Sequence, residues 1–233
     1  MPLSYLILDC FSMAVGLGVG IYGLLRYRIC KISIKLLVWY VIIWFAADIV
    51  EFTMSRYHIH NLWVAHCDNI IEVTLFVAIV FNWRMSKIMG AVLLVSFISF
   101  TLLWMVSKFT FEPMSAGDDI TFSFSRLLMI CFALYLLFIV LHEQSIDLKK
   151  DSRFWVAAGF IVHSVGTLLL FSSFNYLISY FPNVLVTLYP LNWIFAIIAH
   201  LFFARGIWCQ VPQGFSEITN PVNAGTIPQS KAI

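Results

Sequence analysis

Residues 36–55 read LLVWYVIIWFAADIVEFTMS, a run of apolar residues that is interrupted by two acids, Asp48 and Glu51. A helix of about 20 residues rises about 30 Å and so matches the hydrocarbon thickness of a bilayer. A charged side chain at mid-bilayer costs about 2.5–3.5 kcal/mol on insertion scales, so both acids require a cavity or a partner. The stretch therefore predicts a membrane-spanning helix that carries part of a polar site.

The composition of the whole chain agrees with a membrane location. Of its 233 residues, 61% are hydrophobic and only 11% are charged, and the mean hydropathy is +0.92. A soluble domain carries about 25% charged residues, so the bilayer must solvate most of this protein's exterior. The net charge of +2 is too small to indicate a nucleic-acid partner.

Seven apolar stretches are each long enough to cross the membrane. They lie near residues 5–25, 36–55, 62–83, 87–107, 121–142, 154–179 and 184–208. The sequence therefore predicts an all-α integral membrane bundle of seven transmembrane helices within residues 1–209. Residues 210–233 are rich in Pro, Asn, Ser, Thr and Gly, a composition that predicts a disordered tail.

The charges of the connecting loops predict the orientation of the bundle. Eleven of the fourteen basic residues fall on one side of the predicted membrane, and Arg56, Lys108 and Arg126 fall on the other. The side with more Lys and Arg is normally cytoplasmic. Because the number of spans is odd, we expect the N-terminus outside and the C-terminus, with its tail, in the cytoplasm.

Polar side chains recur inside the spans at helical spacing. Asp48 and Glu51 are three residues apart, and Asp68 and Glu72 are four apart, so each pair shares one helix face. At about 1.5 Å per residue, most of these acids fall at the midplane or in the outer half of the membrane. We expect a polar pocket there that opens to the extracytoplasmic side. Its candidate ligand-binding residues are Asp48, Glu51, Asp68, Asn69, Glu72, Arg126, His163, Asn192 and His200.

A purely structural role for these residues is the alternative. Arg126 would then pair with Glu51 or Glu72, and the histidines would bond to neighbouring carbonyl groups. One arginine does not neutralise four acids on two adjacent spans, so some of the acids should be protonated, bind a cation or contact a polar ligand. We therefore favour a functional pocket.

The hypothesis that the protein is an enzyme has less support. Seven-span hydrolases of the alkaline-ceramidase type use three histidines with an Asp and a Ser, and two of those histidines form a close pair on one helix. Here His163 and His200 stand on separate predicted helices, and no HxxxH pattern occurs within a span. We predict no catalytic residue, no metal site and no cofactor, and keep an intramembrane metal-dependent lipid hydrolase as a third reading.

Four stretches together resemble a little-characterised family of compact bacterial seven-span proteins. They are ADIVEF (47–52), HCDNIIEVTLF (66–76), SRFWVAAGFIVHSVGTLLLFSSFNYL (152–177) and YPLNWIFAIIAHLFFARGIW (189–208). Members are often encoded beside sensor histidine kinases, and their bundle is similar to the membrane domains of bacterial seven-span signalling receptors. The resemblance implies residence in a bacterial inner membrane. It also implies a sensor histidine kinase or another cytoplasmic signalling protein as the partner.

These observations lead to one expected function and one alternative. We expect a membrane sensor or signalling module that binds a small or lipid-like ligand in the outer pocket and acts on a cytoplasmic partner. The alternative is a small ion-coupled transporter with Asp48, Glu51 and Glu72 as protonation sites, which should show pH- or cation-dependent flux. The sequence leaves the ligand and the oligomeric state open.

Overall fold

The described part of the chain is entirely built from helices and connecting loops. The computed structural model describes residues 3–83, 86–143, 147–172 and 174–210, and none of these residues lies in a β-strand. Seven helical segments are long and apolar enough to cross a membrane. This result confirms the predicted all-α bundle of seven helices. The predicted tail, apart from Gln210, lies outside the described residues.

The described residues form seven long helices and two short ones. They are α1 (Leu3–Arg26), α2 (Ile32–Arg56), α3 (Leu62–Phe81), α4 (Lys87–Thr110), α5 (Asp119–His142), α6 (Ser152–Phe171), α7 (Phe174–Tyr180), α8 (Pro182–Leu188) and α9 (Pro190–Trp208). Two 3-10 turns, Tyr27–Ile29 and Leu148–Lys150, precede α2 and α6. The first five predicted spans each coincide with one helix to within four residues at either end.

The chain between the sixth and seventh spans differs from the prediction. Helix α6 ends at Phe171, and the rest of the predicted span 154–179 falls largely in the short helix α7. The predicted span 184–208 agrees to within two residues with one candidate membrane span, Pro182–Trp208, which comprises α8 and α9. A proline ring fixes φ and removes an amide hydrogen, so Pro182 and Pro190 stand at the start of helices instead of inside one.

The seven long helices form a closed ring. Neighbours follow the order of the chain from α1 to α6, and α9 closes the ring by packing against both α6 and α1. Contacts between α3 and α5 and between α2 and α9 cross the interior. We call the end at which α1 begins the α1 N-terminal end, and the other the opposite end. Helix α4 is peripheral, because its buried residues form one narrow stripe of Leu93, Phe100 and Ser107.

Glycines allow the close approach of α6 and α9. A Cβ atom added to Gly159 would lie 2.5 Å from the ring of Phe203, and one added to Gly166 would lie 2.2 Å from the ring of Phe195. These distances are too short for two carbon atoms, so only glycine fits at both positions. Small residues at a helix contact let the two backbones come together in this way.

Four buried rings fill the centre of the bundle. The ring centroid of Phe160 lies 4.8 Å from that of Phe76, 5.0 Å from that of Phe203 and 5.1 Å from that of Tyr40. We call these four residues the central aromatic cluster. It joins α2, α3, α6 and α9, about 20 Å from the α1 N-terminal end at about 1.5 Å of rise per residue. The cluster fills the interior of the bundle between the polar residues and the opposite end.

Candidate functional site

A large cavity lies at the α1 N-terminal end of the bundle. Its volume is about 690 Å³, and its lining runs from His58 and Asn61 near the helix ends down to Trp44 and Glu72. Pockets that take drug-sized ligands have volumes of about 300–1,000 Å³. The cavity is therefore large enough for a small organic molecule.

Most of the polar residues selected from the sequence line this cavity. Helices α2, α3, α5, α6 and α9 contribute them, so the tertiary structure gathers side chains that are far apart along the chain. The eight that line it are Asp48, Glu51, Asp68, Asn69, Glu72, Arg126, His163 and Asn192. The ninth, His200, is not part of the lining. The role of the eight in ligand binding stays a prediction.

His200 packs beside Trp44, which lines the cavity. The centroid of the Trp44 ring lies 4.3 Å from that of His163 and 4.4 Å from that of His200. His200 also packs against α1, where a Cβ atom on Gly16 would lie 3.2 Å from its Nε2 atom. Eight residues of helix place His200 about 12 Å deeper than Asn192. The two share a helix face as predicted, but only Asn192 reaches the cavity.

A buried ion pair forms the deep wall of the cavity. Arg126 Nη2 donates a hydrogen bond to Glu72 Oε2, and Tyr40 donates from its hydroxyl group to Glu72 Oε1 at 2.7 Å. His163 Nε2 lies 3.8 Å from the same Oε1 atom. All four side chains are buried. Of the two acids that the sequence allowed as partners of Arg126, the structure places Glu72 against it and not Glu51.

Three lining acids were not selected from the sequence. Asp9 lies in α1, and Asp118 and Asp119 lie at the start of α5. A carboxylate inside the first apolar stretch is a signal that could have identified Asp9. The sequence assigned Asp118 and Asp119 to an outer loop, and no local pattern indicates that this loop folds against the cavity.

A network of buried polar groups holds that loop in place. His66 Nε2 lies 2.9 Å from the carbonyl oxygen of Ala116, which only accepts, so this nitrogen carries the hydrogen. His66 Nδ1 then accepts from Lys108 Nζ at 2.5 Å. Asn69 Nδ2 donates to Asp118 Oδ2 at 3.2 Å. These bonds join α3 and α4 to the loop that borders the cavity.

The carboxylate of Glu112 fixes the start of α5. It accepts hydrogen bonds from the backbone nitrogen of Ile120 at 2.5 Å and from the backbone nitrogen of Thr121 at 3.2 Å. It also accepts from the Thr121 hydroxyl group at 2.7 Å. A carboxylate at a helix N-terminus satisfies free amide groups and interacts favourably with the helix dipole. Glu112 therefore positions the first turn of the helix that carries Arg126.

The environment of Asp118 changes its acidity. Burial raises the pKa of this carboxyl group above its ordinary value of 3.8, and the neighbouring His66 and Lys108 partly oppose the shift. Asp118 is thus more readily protonated in the folded protein than in an unfolded chain.

The cavity lining is strongly acidic. Two guanidinium groups line it, those of Arg56 and Arg126, against seven carboxyl groups. The seven acids are Asp9, Asp48, Glu51, Asp68, Glu72, Asp118 and Asp119. Fixed charges of one sign in a cleft with apolar walls concentrate their field there. The cavity therefore favours positively charged groups.

The geometry lends no support to a metal-dependent hydrolase. Over residues 3–83, 86–143, 147–172 and 174–210, no three His, Cys, Asp or Glu side chains are grouped closely enough to hold a metal ion. The rings of His163 and His200 both pack on that of Trp44, and of the two histidines only His163 lines the cavity.

No protein family, no curated protein and no solved structure matches this chain. The functional argument consequently rests on the cavity, on the charges around it and on the helices that connect it to the opposite end.

Proposed function

We propose that this protein is a membrane sensor or signalling module that binds a small or lipid-like ligand in the cavity. The observation that carries the proposal is the cavity itself, because eight of the nine polar residues selected from the sequence line it. Such residues are costly to expose to the hydrocarbon of a bilayer. Here they line one cavity, whose volume is typical of a ligand site.

The distribution of basic residues supports an orientation for this module. The structure describes twelve of the fourteen basic residues, since Arg84 and Lys231 fall outside it. Nine of the twelve lie at the opposite end: Arg26, Arg28, Lys31, Lys35, Lys87, Lys149, Lys150, Arg153 and Arg205. The end richer in Lys and Arg is normally cytoplasmic. We place the cavity on the extracytoplasmic side of a bacterial inner membrane.

The interior offers a route from the cavity to the opposite end. Tyr40 bonds to Glu72 at the deep wall of the cavity, and its ring packs on those of Phe160 and Phe203. Those two rings belong to α6 and α9, whose far ends meet near Cys209, where Sγ lies 3.4 Å from the carbonyl oxygen of Lys149. A ligand that changes the position of Glu72 would therefore bias the packing of both helices.

The basic opposite end is the surface through which we expect the module to act on its partner. Its nine cationic residues suit a cytoplasmic protein with an acidic surface, such as a sensor histidine kinase or another signalling protein. The ligand must bind two packings of the bundle with different affinity, because a ligand with equal affinity for both shifts no equilibrium. Both packings of the bundle would include the central aromatic cluster.

A small ion-coupled carrier is the second candidate. Asp48, Glu51 and Asp68 line the cavity within the spans, and acids in such positions serve as protonation sites in transporters. A carrier would have to open the central aromatic cluster, whose rings pack at 4.8–5.1 Å between centroids. We favour the sensor because the cavity lining, over the described residues, includes none from the basic opposite end.

One experiment separates the two candidates. The protein is purified in maltoside micelles, whose headgroups carry no charge, and exposed to octane-1,8-diol, octanedioate and 1,8-diaminooctane. These probes share an eight-carbon chain and differ in charge. Hydrogen–deuterium exchange is followed at the two 3-10 turns of the opposite end, Tyr27–Ile29 and Leu148–Lys150. A sensor should show a change in exchange at these turns with the probe that binds, and no flux of that probe into liposomes.

Two neighbouring alanines of α2 provide the matched control. Ala47 lines the cavity, whereas Ala46 is exposed on the outside of the bundle. Ala47→Leu should therefore abolish both binding and the change in exchange, and Ala46→Leu should preserve them. Probe flux that depends on pH would favour the carrier. Equal effects of the two substitutions would show that the cavity is not the binding site.

A further inference from the structure

The unpaired polar atoms of the cavity include hydrogen-bond acceptors. Asn69 Nδ2 bonds to the Asp118 carboxylate, so the amide oxygen is the atom left without a partner. The Nε2 atom of His163 faces Glu72, and its Nδ1 atom has no partner. One oxygen of Asp68 is also buried without one.

Asn69 and Asp68 thus each leave one buried acceptor oxygen without a donor in the described part of the chain. The Nδ1 atom of His163 and the Nε atom of Arg126 also have no partner there. Asn69 and His163 are 1% and 3% exposed, so bulk water does not satisfy them. Buried acceptors without a donor are costly, and a ligand that brings hydrogen-bond donors would remove this cost. An ammonium group has three donors and no acceptor.

Carboxylates of α1 and α2 add negative charge to the cavity lining. Asp48 and Asp9 come from α2 and α1, and the two carboxyl groups interact repulsively with each other and with Glu51. We call these three residues the acidic triad. Each lines the cavity, as does Arg56, whose guanidinium group attracts Asp9. One guanidinium group does not balance three carboxylates, so a further cation that lies among them would relieve their mutual repulsion.

Aromatic rings stand beside the acidic triad. Tyr189 lies within electrostatic range of all three of its carboxyl groups, and the ring of Trp193 is 5.3 Å from that of Tyr189 and 6.4 Å from that of Tyr5. All three rings line the cavity. Aromatic faces attract organic cations and also cover the apolar part of a ligand. This combination of charge and rings suits an amine with a hydrocarbon body better than a bare ion.

We propose that the cavity binds an organic ammonium compound, with its cationic group at the acidic triad and its hydrocarbon part against Tyr5, Trp193 and Tyr189. The proposal rests on the proposed function, because it names the ligand class of the same cavity. A compact metal ion fits less well, since no three potential ligands converge among the described residues.

Binding of the three eight-carbon probes tests this proposal by titration calorimetry in maltoside micelles. We expect 1,8-diaminooctane to bind at least about tenfold more tightly than octane-1,8-diol, because only the diamine gains the attraction between close opposite charges. Octanedioate should not bind. Empty micelles give the background heat of each probe.

Substitutions in the acidic triad locate the cation. Asp48→Asn and Glu51→Gln keep the shape of the side chain and remove its charge, so each should weaken binding of the diamine about tenfold. Asp147→Asn is the control, because this exposed carboxylate pairs with Lys150 at the opposite end. It should leave the affinity unchanged. Size-exclusion profiles show whether each variant is folded, and Asp9→Asn replaces any variant that is not.

The outcomes distinguish this proposal from the proposed function. Equal binding of diol and diamine, or preferred binding of the dioate, would overturn the cationic ligand class. If Ala47→Leu still abolished that binding, the cavity would remain the site of the proposed function. Failure of all three probes to bind the folded protein would overturn the cation proposal. Unchanged affinity in the folded Asp48→Asn and Glu51→Gln variants would do so as well.

Discussion

Arg126 and Glu72 form a hydrogen-bonded ion pair between α5 and α3, and both side chains are less than 5% exposed. The carboxylate also accepts a hydrogen bond from Tyr40 of α2. Three helices are therefore joined at one carboxylate, directly at the deep wall of the cavity. A ligand that bound in the cavity as proposed would meet a charge that the protein has already balanced, so its effect on the bundle would depend on how firmly this pair is held.

Glu72→Gln should strongly destabilise the protein. The substitution leaves the Arg126 guanidinium buried without its counter-charge, and breaking a buried pair in this way costs about 3–5 kcal/mol. The free energy of unfolding can be measured by titrating dodecyl sulfate into maltoside micelles. Glu143→Gln is the matched control, because it breaks the more exposed pair with Arg153 and should cost less than about 1 kcal/mol. Similar losses for both variants would contradict the importance of burial.

Tyr40→Phe should separate binding from transmission. The ring keeps its packing on Phe160 and Phe203, and only the hydrogen bond to Glu72 is lost. Because Tyr40 does not line the cavity, the affinity for the bound probe should stay unchanged. The exchange response at Tyr27–Ile29 and Leu148–Lys150 should fall. A response of wild-type size would show that the signal does not pass through this bond.

Gly159→Ala should destabilise the contact between α6 and α9. The added methyl group would lie 2.5 Å from the ring of Phe203 and 3.3 Å from the backbone oxygen of Ala199. Overpacking of this kind costs about 1–3 kcal/mol. Gly18→Ala is the control, because no atom lies within 4 Å of its added Cβ, and alanine favours a helix over glycine by up to about 1 kcal/mol. Dodecyl sulfate unfolding should give effects of opposite sign.

Asp118 should make the stability depend on acid pH. Its pKa is raised in the folded protein, so folding strengthens proton binding at this site. The resulting stabilisation is complete below the ordinary pKa of 3.8 and is lost as the pH rises through the raised value. Unfolding of the wild type and of Asp118→Asn across this range tests the point. The wild type should lose stability relative to the variant as the pH rises, and a constant difference would contradict the raised pKa.

The sequence by itself determined the seven spans, because the length and hydropathy of a stretch are local properties that decide whether it can span a bilayer. It also identified eight polar residues that line the cavity, since the cost of a buried charge applies to each residue wherever its helix stands. The same local information did not predict that α6 ends at Phe171 or that separate helices begin at Pro182 and Pro190.

Only the tertiary structure decided which of these residues meet. The choice of Glu72 over Glu51 as the partner of Arg126 depends on how α3 and α5 are rotated against each other. The addition of Asp9 and Asp118 to the cavity, and the position of His200 beside Trp44 and outside the described lining, depend on the closed ring of helices and on the folding of the loop before α5. Helical spacing fixes the face on which a side chain stands, whereas packing against other helices fixes what that face meets.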